Sequence, residues 1–212
     1  MKKSDNLTVK KSTPYLLSAS ILLLGVTAAV IGEVLNNYHF EMYYKASEIV
    51  YFLKDQILPL LIVFLSIWLY KAKIISKKTK IVLALILAYL AISSLSFGLR
   101  GMWSVVTSEF FTFRAALAIM VTILTSAIML LLILLIADNN KRIGITIMVC
   151  SGLLIPVHCF YAAEELYNLV NHLYPDVTSW GYFLSDFAYI LLYSAVIIFA
   201  CTYIRHECQK DS

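Results

Sequence analysis

Charge is scarce in this chain. Only 14% of its 212 residues are Asp, Glu, Lys or Arg, whereas 61% are apolar and the mean hydropathy is +0.82. A soluble domain carries roughly a quarter of its residues as charges and about half as apolar types. Nothing is left over here for a soluble domain of any size. Several chemical signatures are also missing. No HExxH, Walker A loop or Gly-x-Ser-x-Gly elbow occurs, nor any phosphatidyltransferase-type or lipid-phosphatase-type motif. The four cysteines, Cys150, Cys159, Cys201 and Cys208, form no CxxC pair. They read as small hydrophobes rather than as a disulfide framework or a zinc site.

Long apolar runs fill the chain instead. Six stretches, Pro14–Leu35, Ser47–Tyr70, Ile81–Leu99, Arg114–Ala137, Ile143–Ala163 and Gly181–Ile204, are each near the ~20 residues a helix needs to cross ~30 Å of hydrocarbon. The links between them alternate in charge. Lys2, Lys3, Lys10 and Lys11 precede the first stretch. Lys71, Lys73, Lys77, Lys78 and Lys80 fill the second link, Lys141 and Arg142 the fourth, and Arg205 and Lys210 follow the last. Only Lys45, Lys54, Arg100 and Arg114 fall on the other side. Basic loops stay cytoplasmic. The pattern therefore predicts an all-α integral membrane protein: a compact bundle of six transmembrane helices with both termini inside, in an inner or plasma membrane. On this reading 1–13 and 205–212 are cytoplasmic tails around one membrane domain, 14–204. The formal charge of +4 follows from this bias and is no sign of nucleic-acid binding. The first stretch is too long for a secretory h-region and ends in Glu33-Val34-Leu35-Asn36-Asn37, so it reads as a retained helix.

The cytoplasmic links are short, which makes consecutive helices antiparallel neighbours. The external links are aromatic: Tyr38, Phe40, Tyr43 and Tyr44; Trp103, Phe110 and Phe111; Tyr167, Tyr174 and Trp180. Such rings favour the headgroup level. Two helices, Phe40–Tyr70 and Arg142–Tyr174 (the latter stopped by Pro175), are expected to run ~45 Å and to project on the outer side.

Carboxylates are sorted as sharply as the bases. Glu33, Glu41, Glu48, Asp55, Glu109, Glu164, Glu165, Asp176 and Asp186 fall in the outer half, which the positive-inside rule does not require. At 1.5 Å per residue Asp55 lies ~12 Å deep, and His158 and Asp186 ~8 Å. Charge at such depth is costly in contact with lipid, so these groups are expected to face the bundle interior or a wet cleft. Steps of three and four place Tyr44, Glu48, Tyr51 and Asp55 on one stripe; His158, Tyr161, Glu165, Asn168 and His172 on a second; and Tyr182, Asp186, Tyr189 and Tyr193 on a third. Pro59 and Pro156 bend the first two helices. Converging, the three stripes line an outward-open vestibule formed by Glu48, Tyr51, Lys54, Asp55, His158, Tyr161, Glu165, Asp186 and Tyr189.

Each residue also has a plainer role. Lys54, beside Asp55, suits an interhelical ion pair with Asp186 or Glu165, and the tyrosines suit packing and an interfacial belt. Glu164-Glu165 suits a solvated helix end, and His158 suits a hydrogen bond to the carbonyl that Pro156 frees. The seven-residue steps from His158 to Glu165 and from Glu165 to His172 separate them by ~10 Å each, too far for one ion, so no metal or cofactor is expected. The Glu164-Glu165 pair is similar to the paired glutamates of the CAAX-protease-like membrane proteins. Leu169, however, stands where that pattern has an arginine, so the resemblance does not extend to proteolysis. In size and number of spans the chain resembles the substrate-binding subunits of vitamin uptake systems, in architecture alone.

Three functions fit these residues. The first is a small permease or substrate-capturing subunit for a cationic or amine-bearing solute. The second is a non-catalytic sensor, assembly or immunity-type protein that binds a membrane-protein partner, or a second copy, on its outer face. The third is an enzyme acting on lipid-linked substrates through Asp55, His158 and Glu165 as acid and base groups.

Overall fold

The computed structural model describes residues 2–39, 113–138, 140–173 and 176–206, together with separate helical positions between 81 and 99. Every regular element among them is an α-helix: α1 (Lys2–His39), α2 (Phe113–Asp138), α3 (Lys141–Val170) and α4 (Asp176–His206). Each contains a segment long and apolar enough to cross a membrane. These segments are Pro14–Leu35, Phe113–Asp138, Lys141–Val170 and Ser179–Arg205, with mean hydropathies of 2.1, 2.9, 2.0 and 2.1. The apolar stretch Ser47–Tyr70 lies outside the described residues. Within Ile81–Leu99, Ala91 is buried, while Ile81, Leu85, Tyr89, Ile92 and Leu99 are exposed at helical spacing.

One helix end differs from expectation, at α3. The first span has the expected bounds, Pro14–Leu35, within a helix that runs across Pro14 from Lys2, so the basic segment is helical. An internal proline forfeits the hydrogen bond to the carbonyl four residues back and crowds it; here the helix continues on both sides. α3 stops at Val170 rather than running to Tyr174. Asn171 caps it, His172 turns into the left-handed region at φ 50°, and two bonds close the end. The His172 N–H donates to the Leu169 carbonyl at 3.2 Å and the Leu173 N–H to the Asn168 carbonyl at 3.0 Å. This is the Schellman closure, formed with histidine where glycine is usual. Pro175 therefore follows a helix that has already ended.

Among the described helices α4 is the central one, and 44% of its most apolar stretch is buried, against 33% for each of the others. α1 packs against it antiparallel through small residues one heptad apart. The buried Ser18 hydroxyl donates to the Ala195 carbonyl at 2.9 Å. A Cβ on Gly25 would lie 3.2 Å from the Ala188 carbonyl oxygen, and one on Gly32 2.7 Å from that of Gly181. Lipid offers no hydrophobic gain for joining two apolar helices, so close backbone approach and the dispersion it allows hold them.

α3 packs on the other side of α4, also antiparallel. α2 is folded back onto α3 by a turn in which the Asn140 side chain accepts from the Arg142 N–H at 2.9 Å. The apolar core (Leu22, Leu135, Ile147, Leu154 and Phe199, all at most 2% exposed) lies where the four helices meet. Ser126 and Thr202 are buried among apolar groups, and each hydroxyl donates to the carbonyl four residues back, Thr122 and Ile198.

Candidate functional site

Above this dry core, toward the end of the bundle where α3 closes on His172, the packing turns polar and aromatic. Histidine is rarely buried without a partner, and His158 of α3 is 5% exposed. Its Nδ1 lies 2.9 Å from Oδ1 of Asp186 on α4. An ionised carboxylate can only accept, so Nδ1 carries the proton, and in the neutral ring Nε2 keeps its lone pair. Nε2 is buried and has no partner among the described residues.

Rings fix the orientation of the imidazole. Tyr189 stacks on it at 4.8 Å between centroids and Tyr193 at 5.7 Å, while Tyr161 meets it edge-on at 6.1 Å. Tyr193 is itself held by a 2.8 Å hydrogen bond between its hydroxyl and that of Thr125 on α2, so three helices meet around one histidine.

Two turns further along the same face of α3, Glu165 is 8% exposed. Its Oε2 accepts from Asn168 Nδ2 at 3.3 Å, and its Oε1 faces the Arg114 guanidinium of α2 at 3.9 Å. Arg114 also reaches Oε1 of Glu164 at 3.5 Å and lies over the Tyr161 ring at 5.9 Å. A continuous string therefore runs from Arg114 through the glutamates and Tyr161 to His158 and Asp186.

Five of the nine vestibule residues read from the sequence thus belong to one cluster: His158, Tyr161, Glu165, Asp186 and Tyr189. The other four, Glu48, Tyr51, Lys54 and Asp55, lie outside the described residues. The plainer role expected for His158 is corrected. Pro156 frees the Gly152 carbonyl, which is on an exposed face of α3, and the imidazole turns the opposite way to Asp186. Glu164 and Glu165 likewise do not share one solvated end, because Glu165 is buried and has Asn168 and Arg114 as neighbours.

Arg114, which the sequence marks only as one of four bases on the outer side, joins the cluster. A signal was available. Arg114 lies 26 residues before Asn140 and Glu165 lies 25 after it. In an antiparallel hairpin turning at Asn140 the two stand at the same height. Among the described residues no group of three or more His, Cys, Asp or Glu side chains is arranged to hold a metal ion.

No protein-family model matches the sequence, and neither curated proteins nor solved structures yield a match. Function must therefore be argued from the cluster itself.

Proposed function

We propose that the chain is a six-span protein of the inner or plasma membrane, with both termini in the cytosol, that acts as a small permease or substrate-capturing subunit. It takes a cationic or amine-bearing solute from the outer side, and His158–Asp186 is its proton-accepting element. One observation carries this reading: a histidine buried in a membrane-spanning bundle, held by a carboxylate at Nδ1 and unfilled at Nε2. Ionisable groups at such depth are expensive to keep, and they mark solute or proton paths in membrane proteins. Asp186 engages Nδ1 and so leaves Nε2 as the ring nitrogen that would exchange a proton with the solute path. Above it, Glu164, Glu165 and the Tyr161 ring offer negative charge and a π-face to a solute cation. Glu48, Tyr51, Lys54 and Asp55 of the second span complete the vestibule on this reading, with the Pro59 bend below them. Bent helices of this kind commonly line transport sites.

The test is uptake into proteoliposomes loaded with a pH-sensitive dye and offered a panel of amines, quaternary ammonium ions and guanidines. At least one solute should move, with a proton movement in the opposite sense. Asp186→Asn and His158→Ala should abolish both. Silence across the panel, or transport that survives His158→Ala, would contradict the proposal.

A further inference from the structure

We infer that Arg114 is a tethered cation standing in the solute's own subsite. Its guanidinium occupies the place, between the Tyr161 ring and the Glu164–Glu165 pair, where an alkylammonium or alkylguanidinium group of the solute binds. The inference rests on the permease reading above and adds to it a ligand class and an internal competitor.

The first observation is a mismatch in burial. The Glu165 side chain is 10% exposed and that of Arg114 is 64% exposed. A buried carboxylate needs compensation, and among the described residues the cation facing it is one whose own side chain is largely uncovered by protein.

The second observation is distance. An arginine anchored to carboxylates brings its planar fork to within about 2.7–2.9 Å, often with two parallel bonds. Here the contacts are 3.5 and 3.9 Å, and the Asn168 amide is also long at 3.3 Å. Neither Glu165 oxygen is filled at a charge-assisted distance among the described residues. The guanidinium sits 5.9 Å from the Tyr161 centroid, near the ~6 Å outer limit for a cation over a ring. Arg114 touches all the parts of a cation site and fits none of them closely.

The third observation is the unfilled Nε2 of His158: it is buried, and the imidazole that carries it packs at a steep angle to the Tyr161 ring, 6.1 Å between centroids. In the neutral ring it is an acceptor, like Glu165 above it. Both acceptors lie on one face of α3, seven residues and ~10 Å apart along the axis. A short alkyl chain with a cationic donor at each end, a diamine or an amino-guanidine, satisfies the upper carboxylate with one end and extends the other toward Nε2. A simple monovalent metal ion would satisfy only one of the two.

The experiment is equilibrium binding of radiolabelled agmatine, which has an ammonium at one end and a guanidinium at the other. The full-length protein is held in lipid nanodiscs, as wild type and as Arg114→Gln, Arg114→Lys and Glu165→Gln. Removing the competitor should tighten agmatine binding roughly tenfold in Arg114→Gln. Arg114→Lys, which keeps the charge but loses the fork, should fall between the two. Glu165→Gln should abolish binding. Should Arg114→Gln fail to fold, the direction of change in Arg114→Lys decides. Unchanged or weaker binding in the Arg114 variants, with loss in Glu165→Gln, would overturn the competitor and leave the cationic vestibule standing. Binding that survives Glu165→Gln, or no agmatine binding to any variant, would overturn the inference itself. The permease reading would then be decided separately by the solute panel.

Discussion

His158 and Asp186 are 28 positions apart in the chain and 2.9 Å apart in space, on helices that run in opposite directions. Their bond joins α3 to α4 at a level where the surroundings are otherwise apolar or aromatic. Truncating one partner strands the other, whereas removing both does not. His158→Ala should therefore lower stability by ~1–3 kcal/mol, because it leaves a partly buried carboxylate without its partner. Asp186→Asn, which retains an acceptor oxygen, should cost about 1 kcal/mol. The double variant His158→Ala/Asp186→Ala should cost less than the sum of its single changes, with a coupling of ~1–3 kcal/mol. Denaturant or thermal unfolding in detergent, followed by light scattering, gives the cycle; strict additivity would show that the contact contributes nothing.

Gly32 predicts a sharp discontinuity in side-chain tolerance. Its Cβ position lies 2.7 Å from the Gly181 carbonyl oxygen and 2.9 Å from the Ser185 hydroxyl, so even alanine must part α1 from α4. Gly32→Ala should cost ~1–3 kcal/mol, and Gly32→Leu should release α1 from the bundle. Gly25→Ala meets its nearest atom at 3.2 Å and should be milder. Gly152→Ala meets nothing within 4 Å and should be neutral or stabilising by up to about 1 kcal/mol. Equal effects at positions 32 and 152 would contradict the packing of α1 on α4.

The Thr125–Tyr193 bond makes a similar forecast between α2 and α4. Tyr193 is 2% exposed, so Thr125→Val leaves a buried hydroxyl without its partner and should cost ~1–2 kcal/mol. Tyr193→Phe on top of Thr125→Val should restore most of that loss, which the same unfolding assay reads directly. No rescue would mean that the hydroxyls are satisfied elsewhere.

At the end of α3, His172 holds a left-handed conformation that costs ~1–2 kcal/mol for a residue with a Cβ. His172→Gly should raise stability by about 1 kcal/mol, and the β-branched His172→Val should lower it. A loss on His172→Gly would mean that the imidazole contributes more than the backbone strain.

Much of this arrangement was legible in the sequence for physical reasons. Apolar runs of about twenty residues can satisfy their backbone in lipid only as helices. The level shared by His158 and Asp186 followed from counting inward at a fixed rise. Asn140 precedes the fifth apolar run and caps α3, as asparagine at that position should. Other features were hidden. The heptad of small residues on α1, Ser18, Gly25 and Gly32, disappears in averaged hydropathy, because it registers as lower apolarity rather than as a contact surface. The helix end at Val170 depends on histidine adopting a conformation usually left to glycine, so Pro175 drew attention past the real stop. In the linear sequence Arg114 is a lone charge at the edge of an apolar run. Its partners emerge only when the hairpin is folded about Asn140 and the two strands of sequence are read in opposite directions.

The most direct measurement is thiol accessibility from the outer face. In a variant with all four native cysteines replaced by serine, Glu164→Cys and Asp186→Cys should both react with a membrane-impermeant thiol reagent added on the side opposite the termini. Excess agmatine should slow both reactions, and Leu154→Cys in the dry core should stay unreactive until the protein is denatured. An unreactive cysteine at 186, alongside a reactive one at 164, would mean that His158–Asp186 is a sealed packing contact with no access from the outside.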